Sequence, residues 1–569
     1  MSDVAAPGPL VLGPMLRFVG EHAATVWVET AGACTVTVRC ARRHWSARTF
    51  GVRGHHYALV VVDGLERGTS EAYTVEIDGV HVWPEPSSPY PPPRIRTLDR
   101  ERPTRLAFGS CRTSVSHDAA GNASHGVDAL RTLALALAED RAPWADLVVF
   151  IGDQVYADET SDEMRAFIAA RRSLDEPPGV EIKDYEEYAH LYWLAWSDPA
   201  NRWLLANLPT CMIFDDHDIR DDWNTSWTWH EEINRTPWWH ERLMGGLASY
   251  WVYQHIGNLS PEELAKDEVY AGVLAAEAFD SDDELDLSDA LFDLVRRVDR
   301  HPEVYRWSYR RDLGDSRLVV VDSRAARVLE PTQRSMLDPE EVSWLDQQLT
   351  GDVEHLFIGT SLPFLLPPGL HDLEAIDEAA AEGAYGRFVS RVAEKSRRSI
   401  DLEHWAAFNQ GFVEVFAMVM DVARGNRGTA PGTIVFLSGD VHNSYVAEVT
   451  DAREHGASSR IVQAVCSPIR NPMPRGIRVM MSAFSKGLVR PMNLWRQWSS
   501  RVPDPPYAWE VTRGPWFDNC LAELAVDERG LSMTWRGGDV RGGDEEHPAL
   551  TTIATVRIDV PPHQDGRHP

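Results

Sequence analysis

Between residues 10 and 85, apolar and polar positions alternate in short runs. ATVWVET, CTVTVRC and YALVVVDGL are rich in β-branched residues and bounded by turn residues, and EAYTVEIDGV continues the pattern. The pattern predicts a small all-β domain over residues 1–86, a fibronectin- or immunoglobulin-like sandwich, with Tyr73 placed as a tyrosine is in many such domains. The proline-rich stretch WPEPSSPYPPPRIR reads as an extended, semi-rigid connection, which sets a linker at 87–103.

The pattern then changes. RLAFGSC is a short apolar strand, VDALRTLALALAED has leucines at helical spacing, and ADLVVFIGD is a second buried strand. Strand, helix, strand in this order implies a parallel α/β sheet with a right-handed crossover. Further apolar strands are TCMIFDD, SRLVVVDS, EHLFIGTS, GTIVFLSGD and RIVQAVCS. Residues about 160–313 are too many for a crossover and predict a helical insertion. LAELAV, LSMTW and ATVRIDV, separated by DERG and RGGDVRGGD, predict closing β-strands. The second domain is thus set at 104–560, an α/β core (layered, α+β-like) with a helical insertion, followed by a tail at 561–569.

Composition narrows the function. A chain of 569 residues exceeds one ordinary core, and 43% hydrophobic with 25% charged residues is a globular profile. The formal charge of −30 repels nucleic-acid phosphates and argues against broad nucleic-acid binding. An acidic protein can still act on phosphate esters if bound cations reverse the local field, so some carboxylates are expected to be metal ligands. No apolar run approaches the roughly 20 residues of a membrane helix. The N-terminus has no basic n-region or apolar h-region, which leads to the expectation of a cytoplasmic protein without membrane attachment. None of the six cysteines forms a CxxC pair, which disfavours a zinc ribbon.

The candidate chemistry is positional. RLAFGS ends at Cys111, LVVFIG at Asp153, CMIF at Asp215, Asp216 and His217, and TIVFLSG at Asp440 and His442. Ligands bind beyond the carboxyl ends of strands in open α/β sheets, and one sheet is expected to gather these ends. Carboxylates, imidazoles and a thiolate brought together repel or stay unpaired unless metal ions sit among them. Asp153 and Tyr156 lie three apart and can face one ion. Carboxylate with phenolate and thiolate suits trivalent iron, while carboxylate with carbonyl oxygen suits calcium or manganese; the residues alone do not fix the ion.

FGSC, GDQVYADE, DDHD and GDVH, in this order, resemble the strand-end motifs of the PhoD-like (alkaline phosphatase D) branch of the metallophosphoesterases, over roughly residues 104–560. The β-domain fits too, since such proteins often carry one there. The resemblance implies that Cys111, Asp153 and Tyr156 bind an iron-like ion, with Asp153 bridging to a second metal ligated by Asp216. His217 would contact the phosphoryl group or protonate the leaving oxygen. Asp440 and His442 would complete the shell, and Asp215 and Asp218 would support it. The implied cofactors are two or more ions, Fe3+ with Ca2+ (alternatives Mn2+ and Zn2+), and the implied reaction is hydrolysis of a small phosphomonoester or phosphodiester by a metal-bound hydroxide. Asp322, Arg324 and Ser361 at further strand ends are candidates for orienting phosphate or for structural pairing. Export is typical of the family, whereas the N-terminus as read leads to the expectation of a cytoplasmic protein. The rival readings are a metal-stabilised interaction protein without catalysis and, third, an iron-dependent redox enzyme. Five tryptophans at 223–239 fit either core packing or an aromatic wall for the leaving group.

Overall fold

The computed structural model describes residues 8–278, 284–330, 333–381, 402–474, 476–478, 481, 502, 504–527 and 529–559. The expected tail at 561–569 lies outside them. The alternating runs at the start form β1 (Leu10–Val19), β2 (Ala24–Thr30), β3 (Thr35–Cys40), β4 (Arg43–Arg48), β5 (Phe50–Val52), β6 (His55–Val62), β7 (Ser70–Ile77), β8 (Val80–Trp83) and β9 (Arg94–Arg96). One sheet includes β1-β2-β6-β5 and the other runs β4-β3-β7-β8. Every second residue points inward, so Val26, Val28, Val36, Val38, Val60 and Val75 share one core. β9 falls inside the proline-rich stretch and pairs with β7, which returns that stretch to the sandwich. The Tyr73 hydroxyl reaches out of the sandwich and donates to Ala206 O at 2.6 Å.

Two further sheets carry the rest. β10 (Arg105–Gly109), β11 (Leu147–Ile151) and β12 (Thr210–Ile213) run parallel. In the insertion, β13 (Leu285–Asp286) adds to β5 at the edge of the sandwich. The second sheet contains β14 (Tyr309–Leu313), β15 (Ser316–Val321), β16 (His355–Thr360), β17 (Thr433–Ser438), β18 (Ser444–Val449), β19 (Arg460–Val465) and β20 (Trp509–Trp516), in the order β14-β15-β16-β17-β19-β18-β20. β21 (Leu521–Asp527), β22 (Gly530–Asp539) and β23 (Ala549–Asp559) return to the first sheet, antiparallel beside β10. The expectation of one sheet is therefore corrected to two mixed sheets. The closing hairpins occupy the edge of β10 that a continuous parallel sheet would need. Phe108, Val148 and Phe150 of one sheet and Phe357, Val435 and Leu437 of the other lie in one buried cluster, so the sheets form stacked layers.

The span expected as one insertion, about 160–313, is mostly helical, with Tyr185–Trp196, Trp239–Tyr250 and Ser288–Arg300 as its longer helices, but β12 and β14 within it belong to the two core sheets. Trp223, Trp229 and Trp239 are buried in it, while Trp227 is 41% exposed. Among the described residues, Trp405–Ala423 is the one helical stretch long and apolar enough to cross a membrane. Two-thirds of it is buried, and Phe412 and Phe416 pack against Phe364, tilted and edge-on, which is how a core helix packs.

Candidate metal centre

The strand ends turn on left-handed backbone. Cys111 has φ +57°, Asp153 +51°, Asp440 +64° and His442 +47°. L-residues avoid this region at about 1–2 kcal/mol each, so the surroundings must hold it. They do so by interlocking the loops. Arg112 N donates to Asp153 O at 3.1 Å, Asp440 N to Ser110 Oγ at 3.0 Å, and His442 N to Ser467 Oγ at 3.2 Å. Ser467 Oγ also lies 3.2 Å from Cys111 Sγ. Glycine is required at two places: a Cβ on Gly152 (φ +88°) would sit 2.7 Å from Asp215 Cβ, and one on Gly439 would sit 2.0 Å from Ser110 Oγ.

These turns bring ligand-type atoms from both sheets together. Cys111, Asp153 and His442 form one group, Asp153, Asp216 and His217 a second, and Asp215, Asp216 and Asp440 a third, with the ligand atoms of each group within 4.8 Å of one another. Asp153 and Asp216 each belong to two groups, so the groups are continuous. Cys111 Sγ is 3.3 Å and the Tyr156 hydroxyl 3.4 Å from Asp153 Oδ2. Asp153 Oδ1 and Asp215 Oδ2 are buried without a hydrogen-bond partner.

Burial pushes the Cys111 thiol, the Asp153 carboxyl and the Tyr156 phenol well above their ordinary ranges, and neighbouring acidic groups push further. Burial also raises Asp216 well above the carboxylate range, against the pull of Arg324. Their charged forms thus need a cation that the protein's own side chains do not fully supply. His442 is pushed down to about 4 by burial, so its imidazole is neutral at pH 7, the form a metal takes. Orphaned carboxylate oxygens, a neutral imidazole and shared aspartates fit metal ions.

The supporting residues divide clearly. Asp218 Oδ2 accepts the backbone N–H groups of Asp153 and Asp215, and Oδ1 accepts Gln254 Nε2 at 3.1 Å. Arg324 is fully buried, forms a short ion pair with Asp215, lies 3.1 Å from Asp216 Oδ1 and reaches Glu403 at 2.6 Å. Asp322 faces backbone instead: its carboxylate accepts the N–H groups of Arg324, Ala325 and Ala326. Ser361 pairs with Ser323 Oγ at 2.8 Å, and its carbonyl accepts Gly439 N.

His217 is oriented by Asp158, whose carboxylate oxygens lie 2.9 and 3.1 Å from Nδ1. Burial opposes the imidazolium, but Asp158 and Asp216 outweigh it and hold His217 well above its ordinary value. The ring packs on Tyr156 with centroids 4.7 Å apart. Sequence reasoning assigned no role to Asp158, although it lies inside GDQVYADE. Glu403, Glu374 and His404 were also missed, for they follow no strand.

A family model described as PhoD-like phosphatase matches residues 134–493, more than half of the chain. A second, described as a domain of unknown function, matches residues 7–95. No curated protein sequence matches. Among solved structures, one described as the structure of PhoD aligns over 97% of this chain and 91% of its own, with 14% identity and a TM-score of 0.58, which shows a shared fold. GAP50, described as the anchor in the inner membrane complex of Plasmodium, covers 80% of this chain and 90% of its own at 9% identity, with a TM-score of 0.33 that is too low to argue from.

Proposed function

The chain belongs to the PhoD-like phosphatase family, and from that premise we propose that it hydrolyses small phosphomonoesters or phosphodiesters at the centre shared by its two sheets. The observation that carries the proposal is the continuity of the three ligand groups through Asp153 and Asp216, with carboxylate oxygens left unpaired among them. Cys111, Asp153, Tyr156 and His442 would hold an ion at one end, and their thiolate, phenolate, imidazole and carboxylate suit Fe3+. Asp215, Asp216 and Asp440 would hold one at the other, where carboxylates suit Ca2+, with Mn2+ and Zn2+ as alternatives. When bound, such ions supply positive charge to the phosphoryl oxygens and an activated water.

The chain's own residues do the rest. His217 is the catalytic residue: Asp158 fixes Nδ1 as the nitrogen bearing the inner proton, so Nε2 is the atom that can pass a proton to the leaving oxygen. Arg324 neutralises Asp215 and Asp216 from the buried side and keeps their carboxylates from repelling each other. Asp218 fixes the spacing of the two loops.

The test uses one purified sample. Iron, calcium, manganese and zinc are quantified, and aryl phosphate mono- and diesters are assayed before and after chelation. Stoichiometric metal with chelator-sensitive hydrolysis is the expected result. Absence of metal, together with no activity on adding it, would sink the proposal.

A further inference from the structure

We propose that His404, held by Glu374, is a positioning residue for Asp440 and sets how firmly the carboxylate end of the centre holds its metal. This rests on the metal reading above. His404 directly precedes the helical turn Trp405–Phe408, and Glu374 lies on the helix Pro368–Ala381. Both are buried, at 5% and 0% exposure. His404 Nδ1 lies 2.7 Å from Glu374 Oε1, and Nε2 lies 3.4 Å from Asp440 Oδ2 without a well-aligned hydrogen bond.

The arrangement has a recognisable logic. An imidazole fixed at one nitrogen by a carboxylate presents the other in a set direction, and such outer contacts orient the groups around a metal. Arg324 serves this purpose for Asp215 and Asp216, which it contacts directly. Among the described residues, the side chain that lies against the Asp440 carboxylate in this way is His404. Asp440 also needs such a contact. Its backbone is left-handed, with its N–H tied to Ser110 Oγ and its carbonyl to the N–H of His442, and these bonds leave the direction of the carboxylate to be set from outside. His404 stands in none of the three close ligand groups, so the geometry makes it act through Asp440 and not as a ligand itself.

Wild type, His404→Ala, His404→Gln and Glu374→Gln are purified with the metals they acquire. Each is challenged with graded chelator, and the metal left per chain is measured beside Tm. In His404→Ala one metal is expected to leave at roughly 10- to 100-fold lower chelator, while the other is held as in wild type. His404→Gln, which keeps a donor, is expected to recover part of the loss. A folded His404→Ala that retains both metals like wild type overturns the proposal. Equal weakening of both metals overturns it too, because general loosening gives that result. Should His404→Ala fail to fold, the two Gln variants decide by the same criterion. A wild type that holds no metal marks failure of the metal reading itself, which is visible before any variant is made.

Discussion

Asp218 locks Asp153 in place: its Oδ2 accepts the Asp153 backbone N–H at 3.0 Å, and the same oxygen accepts that of Asp215 at 2.9 Å. One side chain thus spaces two loops that leave neighbouring strands. Asp218→Ala would leave two buried N–H groups unpaired, at about 1–3 kcal/mol each. Asp218→Asn keeps an acceptor oxygen. Thermal unfolding should show a drop of several degrees for Asp218→Ala and a much smaller one for Asp218→Asn, with ester hydrolysis following the same order. Equal behaviour of the two variants would remove Asp218 from this role.

The Asp158–His217 pair calls for a different signature. Asp158→Asn keeps the shape but no longer holds the ring as a carboxylate does. Hydrolysis should fall by roughly 10²–10⁴-fold, the usual worth of positioned acid–base help, in both Asp158→Asn and His217→Ala. In Asp158→Asn metal content should stay at the wild-type level, since Asp158 belongs to none of the ligand groups. Loss of metal in Asp158→Asn would recast it as a residue that builds the centre.

How much of this was legible follows from where the signal lies. Cys111, Asp153 and Asp440 could be read because an apolar run stops abruptly at each, and a strand end is a fixed place in a layered fold. That the ends belong to two sheets could not be read, because period-2 patterning describes a strand and not its neighbours. Asp158 was hidden by distance: its partner His217 is 59 residues away. Glu374 and His404 sit on helical and turn segments with no flanking motif, so nothing local marks them. The sandwich strands were legible from alternation, but the pairing of β9 was not, because proline-rich sequence usually signals a free connection.

Gly439 offers a steric test of the loop interlock. A methyl group there meets Ser110 Oγ and Cβ at 2.0 and 2.3 Å. Ser110 is also the acceptor for Asp440 N, so the side chain cannot move without loosening Asp440. Gly439→Ala should cost about 1–3 kcal/mol by overpacking. It should also weaken metal retention, while the double variant Gly439→Ala/Ser110→Gly should regain part of the stability by removing the clash but not the metal retention, because Asp440 N loses its acceptor. A Gly439→Ala protein with wild-type Tm and metal content would show that the loops have slack.

The sandwich and the insertion are joined by an ionic contact that makes stability depend on pH. His55 of β6 lies 2.9 Å from Glu29 of β2 and 2.9 Å from Glu186 of the insertion. Burial opposes its charge, but the two glutamates prevail and raise it from 6.5 to about 9. The folded value lies above the unfolded one, so the imidazolium stabilises the fold fully below pH 6.5. That contribution declines from there and is gone once the pH passes about 9. The shift corresponds to about 2 kcal/mol after allowing for Glu186, which is 43% exposed and screened by solvent. Unfolding followed from pH 6 to pH 10 should therefore show wild type losing stability relative to His55→Ala across pH 6.5–9, with the two curves parallel above that range. Parallel curves across the whole range would mean that His55 carries no charge in this contact.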